Sequence, residues 1–198
     1  MSIAHDTSTA PDTDQIARAG DLYTQGLNDG EPQVRLQAVL GLVALSAVTE
    51  VAEAADDPAR EVRVAVADGL ARLGGTAGLP ALEDLLADHD PVVRMAALDA
   101  AAALGVPEPL AGRVVTGIVH TGWQVRRRAA LALAEAAPEI AVRPLIRALR
   151  DETVDVRRAA VQSLERWAGD RPEVVVALTE ALTDPDPGVR TQARWALA

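Results

Sequence analysis

The sequence predicts an all-α protein built as a solenoid of about six helix pairs. A Val-Arg pair recurs along the chain with spacings of 28, 31, 32, 31 and 33 residues. Self-similarity at this period indicates a repeat array, in which each unit buries its apolar face only against its neighbours. The repeated valines are Val34, Val62, Val93, Val125, Val156 and Val189.

The segments that begin near these valines are predicted to be the second helices of the six units. Counting from the valine, apolar residues return four, eight and usually eleven positions later, as at Val93, Ala97, Ala101 and Leu104. This spacing is one face of a helix with 3.6 residues per turn. The pattern makes residues 14–198 one continuous domain.

The segment before the array has a different character. Residues 1–13 are polar, contain Pro11 and have no apolar period. Such a segment has too little apolar surface to pack, and we expect a flexible N-terminal tail there.

The turn before each second helix has its own chemistry. Asp90 and Asp186 each stand before a proline at the first helical position, where a carboxylate caps backbone N–H groups and proline has none to satisfy. Gly74 and Gly105 follow second helices and suit their C-terminal caps. An aspartate stands five residues before the valine in five of the six units: Asp29, Asp57, Asp88, Asp151 and Asp184.

The recurring pattern Asp-x-Asp-Pro-x-Val-Arg-x-x-Ala-Ala resembles the HEAT repeat, in particular the short HEAT-like repeat of phycobilisome-lyase-type proteins. Residues 88–97 are the closest copy, and the resemblance covers residues 14–198. It implies a right-handed superhelix of antiparallel helix pairs, with second helices on the concave side and a buried Asp–Arg ladder between neighbouring units. A phosphate-binding row is the alternative for the same arginines. These are Arg35, Arg63, Arg94, Arg126, Arg157 and Arg190.

The composition argues against several kinds of catalysis. Cysteine and lysine are both absent, which removes disulfides, thiolate nucleophiles, cysteine-ligated metals and Schiff-base or phosphate-loop lysines. His89 and His120 occupy equivalent turns one unit apart, a spacing that matches no metal site. No nucleophile or phosphate-cradling motif is present. We therefore expect a non-enzymatic protein without cofactor or metal.

The sequence also predicts a soluble, cytoplasmic protein without a membrane segment. No basic stretch is joined to an apolar one at the N-terminus, as a secretory signal requires. The longest apolar run, around residues 38–48, is shorter than the ~18–20 residues that a membrane span needs.

Binding is predicted on the face shared by positions two, three, six and ten after each repeated valine, which we call the groove. Residues 1–100 carry 6 Arg against 17 acids and residues 101–198 carry 13 against 12, so the groove is expected to change from apolar and mildly acidic to strongly basic. An apolar floor beside arginines suits an acidic or amphipathic helix; a solvated face is the alternative. The predicted partner-binding residues are Leu36, Leu40, Met95, Arg127, Arg128, Arg158, Arg166, Trp123 and Trp195.

Unit four departs from the pattern of the other units. His120 replaces the usual aspartate, Gly122 and Trp123 replace the capping residue and proline, and three arginines follow at 126–128. Departures from a consistent pattern are expected at functional or strained sites, and an exposed Trp beside Arg is typical of a binding hot spot. Repeat drift, with Trp123 folded over the seam between units, is the alternative.

These features favour an adaptor that holds a partner protein in the groove. The resemblance raises a second hypothesis, a maturation factor or lyase that assists attachment of a bilin-like cofactor to a client protein. Nucleic-acid binding is a third, against which the net charge of −10 argues. Trp195 either lines the groove or covers the last unit, which leaves homodimerisation through the C-terminal end open.

Overall fold

The computed structural model describes residues 13–198 and is all-α in that range, which confirms the predicted solenoid of helix pairs. The predicted tail lies outside the described residues except for Thr13, where the first helix begins. The helices are α1 (Thr13–Gly26), α2 (Pro32–Ala44), α3 (Val48–Glu53), α4 (Arg60–Leu73), α5 (Leu79–Leu86), α6 (Pro91–Ala103), α7 (Glu108–Gly117), α8 (Trp123–Leu133), α9 (Pro138–Ala148), α10 (Val154–Leu164), α11 (Pro172–Ala181) and α12 (Pro187–Ala196). Short 3₁₀ turns follow α3 and α10.

The helices alternate between two layers. Each repeated valine is the third residue of an even-numbered helix, and each odd-numbered helix precedes its partner in the same unit. Successive even-numbered helices pack against each other more extensively than successive odd-numbered helices do. Because the closer spacing lies on the even-numbered side, the array bends toward it, and the even-numbered helices form the inner layer.

The core is a continuous strip of small aliphatic side chains between the layers. Leu42, Leu70, Leu133 and Leu164 each stand eight positions after a repeated valine and are fully buried. Each such leucine contributes about 1.5–3 kcal/mol through removal of its side chain from water. Because alanines fill much of the remaining core, neighbouring helices approach closely.

Helix ends follow the sequence signals. The carboxylates of Asp90 and Asp186 accept hydrogen bonds from backbone N–H groups in the first turns of α6 and α12. Gly74 and Gly105 have φ angles of 69° and 75°, the left-handed region that suits glycine after a helix. Ser46 has the same role after α2 at a φ of 60°, although serine lacks glycine's freedom there.

Among residues 13–198, no helix has the length and apolar character needed to cross a membrane.

Candidate functional site

Four of the six repeated arginines form a ladder of ion pairs between consecutive units. In each rung the Nε and Nη2 groups of the arginine donate to the two carboxylate oxygens of the aspartate in the next unit, with Nε–O distances of 2.6–2.8 Å. The Nη1 group donates to two carbonyls of the turn before the arginine's own helix. The rungs are Arg35–Asp57, Arg63–Asp88, Arg126–Asp151 and Arg157–Asp184.

Each ladder aspartate also closes the turn in which it stands. Its Oδ1 accepts the N–H of the residue two positions later, as Asp88 does from Asp90 at 2.7 Å. Burial alone raises the pKa of the Asp88 carboxyl, but the hydrogen bonds from Arg63 and from that N–H outweigh it, so its pKa lies below the ordinary value. The pKa values of Asp57, Asp151 and Asp184 are lowered for the same reasons. The ladder is therefore ionised and fully hydrogen-bonded.

The ladder is interrupted between units three and four. His120 occupies the aspartate position, and its Nδ1 accepts the Gly122 N–H at 3.0 Å, which preserves the turn without a negative charge. Arg94 donates instead to the main-chain carbonyls of Asp88 and Ala87. No carboxylate within residues 13–198 lies within 4.0 Å of its guanidinium.

The two ends of the ladder are also unmatched within the described residues. Asp29 closes its own turn by accepting the Glu31 N–H, and no described arginine binds its carboxylate. Arg190 donates to the carbonyls of Asp184 and Pro185, and no described carboxylate follows it in a further unit.

Three of the four arginines that the sequence places in the basic half of the groove are paired with carboxylates, which lowers the positive charge expected there. Arg128 pairs with Asp99 at 3.0 Å, Arg158 with Asp186 at 2.9 Å, and Arg166 with Glu135 at 2.9 Å. These partners stand 28–31 residues away along the chain, so helix-to-helix register sets the charge balance, and arginine counting misses it. Burial raises the pKa of Asp99 above its ordinary value, although Arg128 opposes the shift.

Three charged groove side chains have no ion partner among the described residues. Arg127 on α8 is exposed and lies within 4.0 Å of no described carboxylate. Asp68 and Arg72 on α4 stand one helical turn apart, are both exposed, and lie within 4.0 Å of no oppositely charged described group. The unpaired groove charges are therefore of both signs at unit two and positive at unit four.

The predicted apolar groove residues differ in their exposure. Leu36 and Met95 are partly buried against the core, which leaves only part of each side chain for a partner. Leu40 is 39% exposed, and Trp123 at the start of α8 is also 39% exposed. Trp195 on α12 is 70% exposed, the most open of the five. The groove thus has accessible apolar surface at units one, four and six.

A cavity on the outer layer has no counterpart in the sequence prediction. It has a volume of about 450 Å³ between α7 and α9, and its mainly apolar lining includes arginines. The sequence feature that could have indicated this cavity is Val119, an apolar residue in the turn after α7, which is exposed in the structure. The lining includes Val115, Ile118, Val119, Pro144, Arg147 and Arg150.

The described side chains form no group of three His, Asp or Glu residues placed to hold a metal ion. Their arrangement is one of stacked helix pairs joined by an arginine–aspartate ladder, with an inner face of paired charges and exposed apolar side chains. This class of protein is the α-solenoid repeat protein.

A family model described as HEAT repeats matches residues 20–102 and 113–198, and the chain belongs to that family. No curated protein matches the sequence.

Solved structures share the fold at low sequence identity. A designed armadillo repeat protein in complex with the peptide (KR)4 is 20% identical, with a TM-score of 0.63 over 96% of this chain and 94% of that one. YibA of Escherichia coli is 20% identical, with a TM-score of 0.65 over 98% of this chain and 77% of that one. Cex1p is 16% identical, with a TM-score of 0.69 over 92% of this chain and 43% of that one.

Proposed function

We propose that this protein is a non-enzymatic scaffold that holds an amphipathic segment of a partner protein in its groove, with an acidic end of the segment at Arg127. The unpaired positive charge of Arg127 at unit four is the observation that carries this proposal. Arg128, Arg158 and Arg166 are paired within the chain, and Arg72 at unit two stands one helical turn from the negative charge of Asp68. Arg127 is therefore the groove arginine whose charge is left for a partner's carboxylate.

The apolar part of the segment packs on the exposed groove side chains. Leu40 and the accessible parts of Leu36 and Met95 lie on the inner layer of units one to three, on the N-terminal side of Arg127. An amphipathic helix laid into such a groove contributes apolar side chains on one face and charges at its edges. Trp195 and Trp123 extend the apolar surface beyond Arg127.

The charges give the segment a direction. Helices α4 and α8 are two inner-layer spacings apart, about 16–20 Å at the usual 8–10 Å between packed helices. A helix covers that distance in about 11–13 residues at 1.5 Å per residue. The preferred ligand therefore has a basic residue near Asp68 and an acidic residue about 11–13 positions away near Arg127.

Selection from a displayed library of random peptides, followed by affinity measurement on variants, tests the proposal. Selected peptides should carry apolar residues at helical spacing with an acidic end, and Arg127→Glu should weaken binding at least tenfold. Arg143→Glu on α9 is the matched control, because Arg143 is also exposed, has no described ion partner and lies on the outer layer. Its affinity should equal that of the wild type.

The combined variant Asp68→Arg, Arg127→Glu exchanges these two groove charges and should prefer the same peptide with its charges exchanged. Selection of purely basic peptides, or loss of binding only in the outer-layer variant, would contradict the groove assignment.

A homodimer through the C-terminal end is a second, separate proposal, carried by the exposure of Trp195 on α12. Sedimentation of the wild type as a dimer and of Trp195→Glu as a monomer would support it; a wild-type monomer at high micromolar concentration would refute it. The matched family model is that of HEAT repeats in general, so the phycobilisome-lyase-type subfamily and the maturation-factor role stay predictions.

A further inference from the structure

We propose that the seam between units three and four contains an open rung of the ladder, at which Arg94 binds a carboxylate supplied from outside the chain. This site lies at the edge of the array where the inner helices begin. It is therefore distinct from the groove, and the proposal does not rest on the groove's function.

The four closed rungs define the ligand that is missing. Each of their arginines presents Nε and Nη2 to the two oxygens of one carboxylate, a bidentate geometry that suits guanidinium. At the open seam His120 turns its Nδ1 to the Gly122 N–H and supplies no carboxylate. A carboxylate is therefore the group that this edge of the fold is shaped to place beside Arg94.

The side chain of Arg94 has a different hydrogen-bond pattern from its counterparts. In the closed rungs Nη1 donates to the carbonyls of the preceding turn, so Nε and Nη2 donate to the aspartate. In Arg94 the Nε and Nη2 groups donate to the carbonyls of Asp88 and Ala87, and Nη1 donates to no described residue. Return of Arg94 to the common pattern needs only a turn of the guanidinium and an incoming carboxylate.

A cavity of about 260 Å³ opens beside Arg94. At about 30 Å³ per water molecule it has room for roughly nine waters, and so for a carboxylate on a short aliphatic stem. The walls combine two cations and one hydroxyl with apolar side chains: Arg94, Arg113, Thr116, Leu86, Leu98 and Val125.

Arg113 is a second cation available to the ligand. Its Nε lies 3.5 Å from Glu83 on the neighbouring outer helix, and both side chains are nearly half exposed. Such a surface pair is held weakly, so Arg113 is free to turn toward an anion in the cavity. Two arginines above an aliphatic wall select a carboxylate on a hydrocarbon stem, such as a glutamate side chain of a partner or a free aliphatic dicarboxylate.

The test is a titration of the ¹⁵N-labelled protein that follows the Arg Nε–H resonances by NMR. Sodium glutarate is the free probe, an acetylated and amidated alanine peptide with one central glutamate is the chain-borne probe, and sodium chloride at equal ionic strength is the control. We expect saturable shifts of the Arg94 and Arg113 resonances with both carboxylates and none with chloride. Tighter binding of the peptide assigns the source to a partner chain, and tighter binding of glutarate assigns it to a small molecule.

Two variants distinguish specific binding at the open rung from a general attraction of arginine side chains for anions. His120→Asp closes the rung from within, so it should weaken glutarate at least tenfold and raise the urea midpoint of unfolding. Arg94→Gln should weaken glutarate equally, whereas Arg60→Gln, an exposed arginine at the start of α4, should not. Equal glutarate affinity in the wild type and both site variants, or shifts that chloride reproduces, would overturn the proposal.

Discussion

Removal of one ladder carboxylate should cost this protein a large share of its stability, and Asp88→Asn is the sharpest test. Arg63 donates to Asp88 at 2.7 and 3.1 Å, and the two side chains are only 6% and 8% exposed. Loss of one partner of a buried ion pair leaves the other charge uncompensated and costs 3–5 kcal/mol. Asparagine retains one oxygen for the Asp90 N–H, so we expect about 3 kcal/mol, the low end of that range.

Urea unfolding followed by circular dichroism measures this loss. Glu180→Gln is the matched control, because Glu180 pairs with Arg150 at 3.2 Å and both side chains are well exposed. Exposed pairs contribute little, and the control should stay within about 0.5 kcal/mol of the wild type. If Asp88→Asn costs no more than Glu180→Gln, the ladder does not hold consecutive units together and the reasoning fails.

Three further predictions follow from the same geometry. Burial raises the pKa of the ladder aspartates, but their hydrogen bonds outweigh it and lower the pKa in the folded state. The ionised aspartates therefore stabilise the fold fully above the unfolded pKa of about 3.9, and this stabilisation is lost as pH falls through the folded-state pKa. Urea midpoints below about pH 4 should therefore fall more steeply in the wild type than in Asp88→Asn; parallel pH profiles would refute this. Ser46→Gly should stabilise by about 1 kcal/mol in the same assay, because it relieves a φ of 60° in a residue with a Cβ, and an unchanged midpoint would count against strain there. Gly41→Ala should cost about 1–3 kcal/mol, since the new Cβ would lie 2.5 Å from the Tyr23 ring; a neutral effect would mean that α1 shifts freely on α2.

The fold could be predicted from the sequence because its signals are local and repeated. Val93 and its counterparts mark the same helical position in every unit, and Asp90 caps α6 through its own neighbours. The resemblance implied the arginine–aspartate ladder, and the unusual His120 was visible in the sequence. A repeat array gives many copies of each signal, so a single irregular copy does not hide the period.

The charge balance of the groove could not be predicted in this way. Arg128 and Asp99 stand on different helices, and their contact depends on how far one unit is rotated against the next. Counting charges along the chain treats both as independent, whereas the structure cancels one against the other. The different orientation of the Arg94 guanidinium could not be predicted either, because a side-chain rotamer depends on acceptors that only the packed fold supplies.

The ladder also sets the order in which its ion pairs can form during synthesis. Arg63 leaves the ribosome 25 residues before Asp88, the carboxylate that neutralises it. At a synthesis rate of about 5–20 residues per second, that interval is roughly 1–5 s. During synthesis each unit on the N-terminal side of a closed rung therefore holds a cation without its counter-charge until the following turn has emerged, so every rung is completed one unit late.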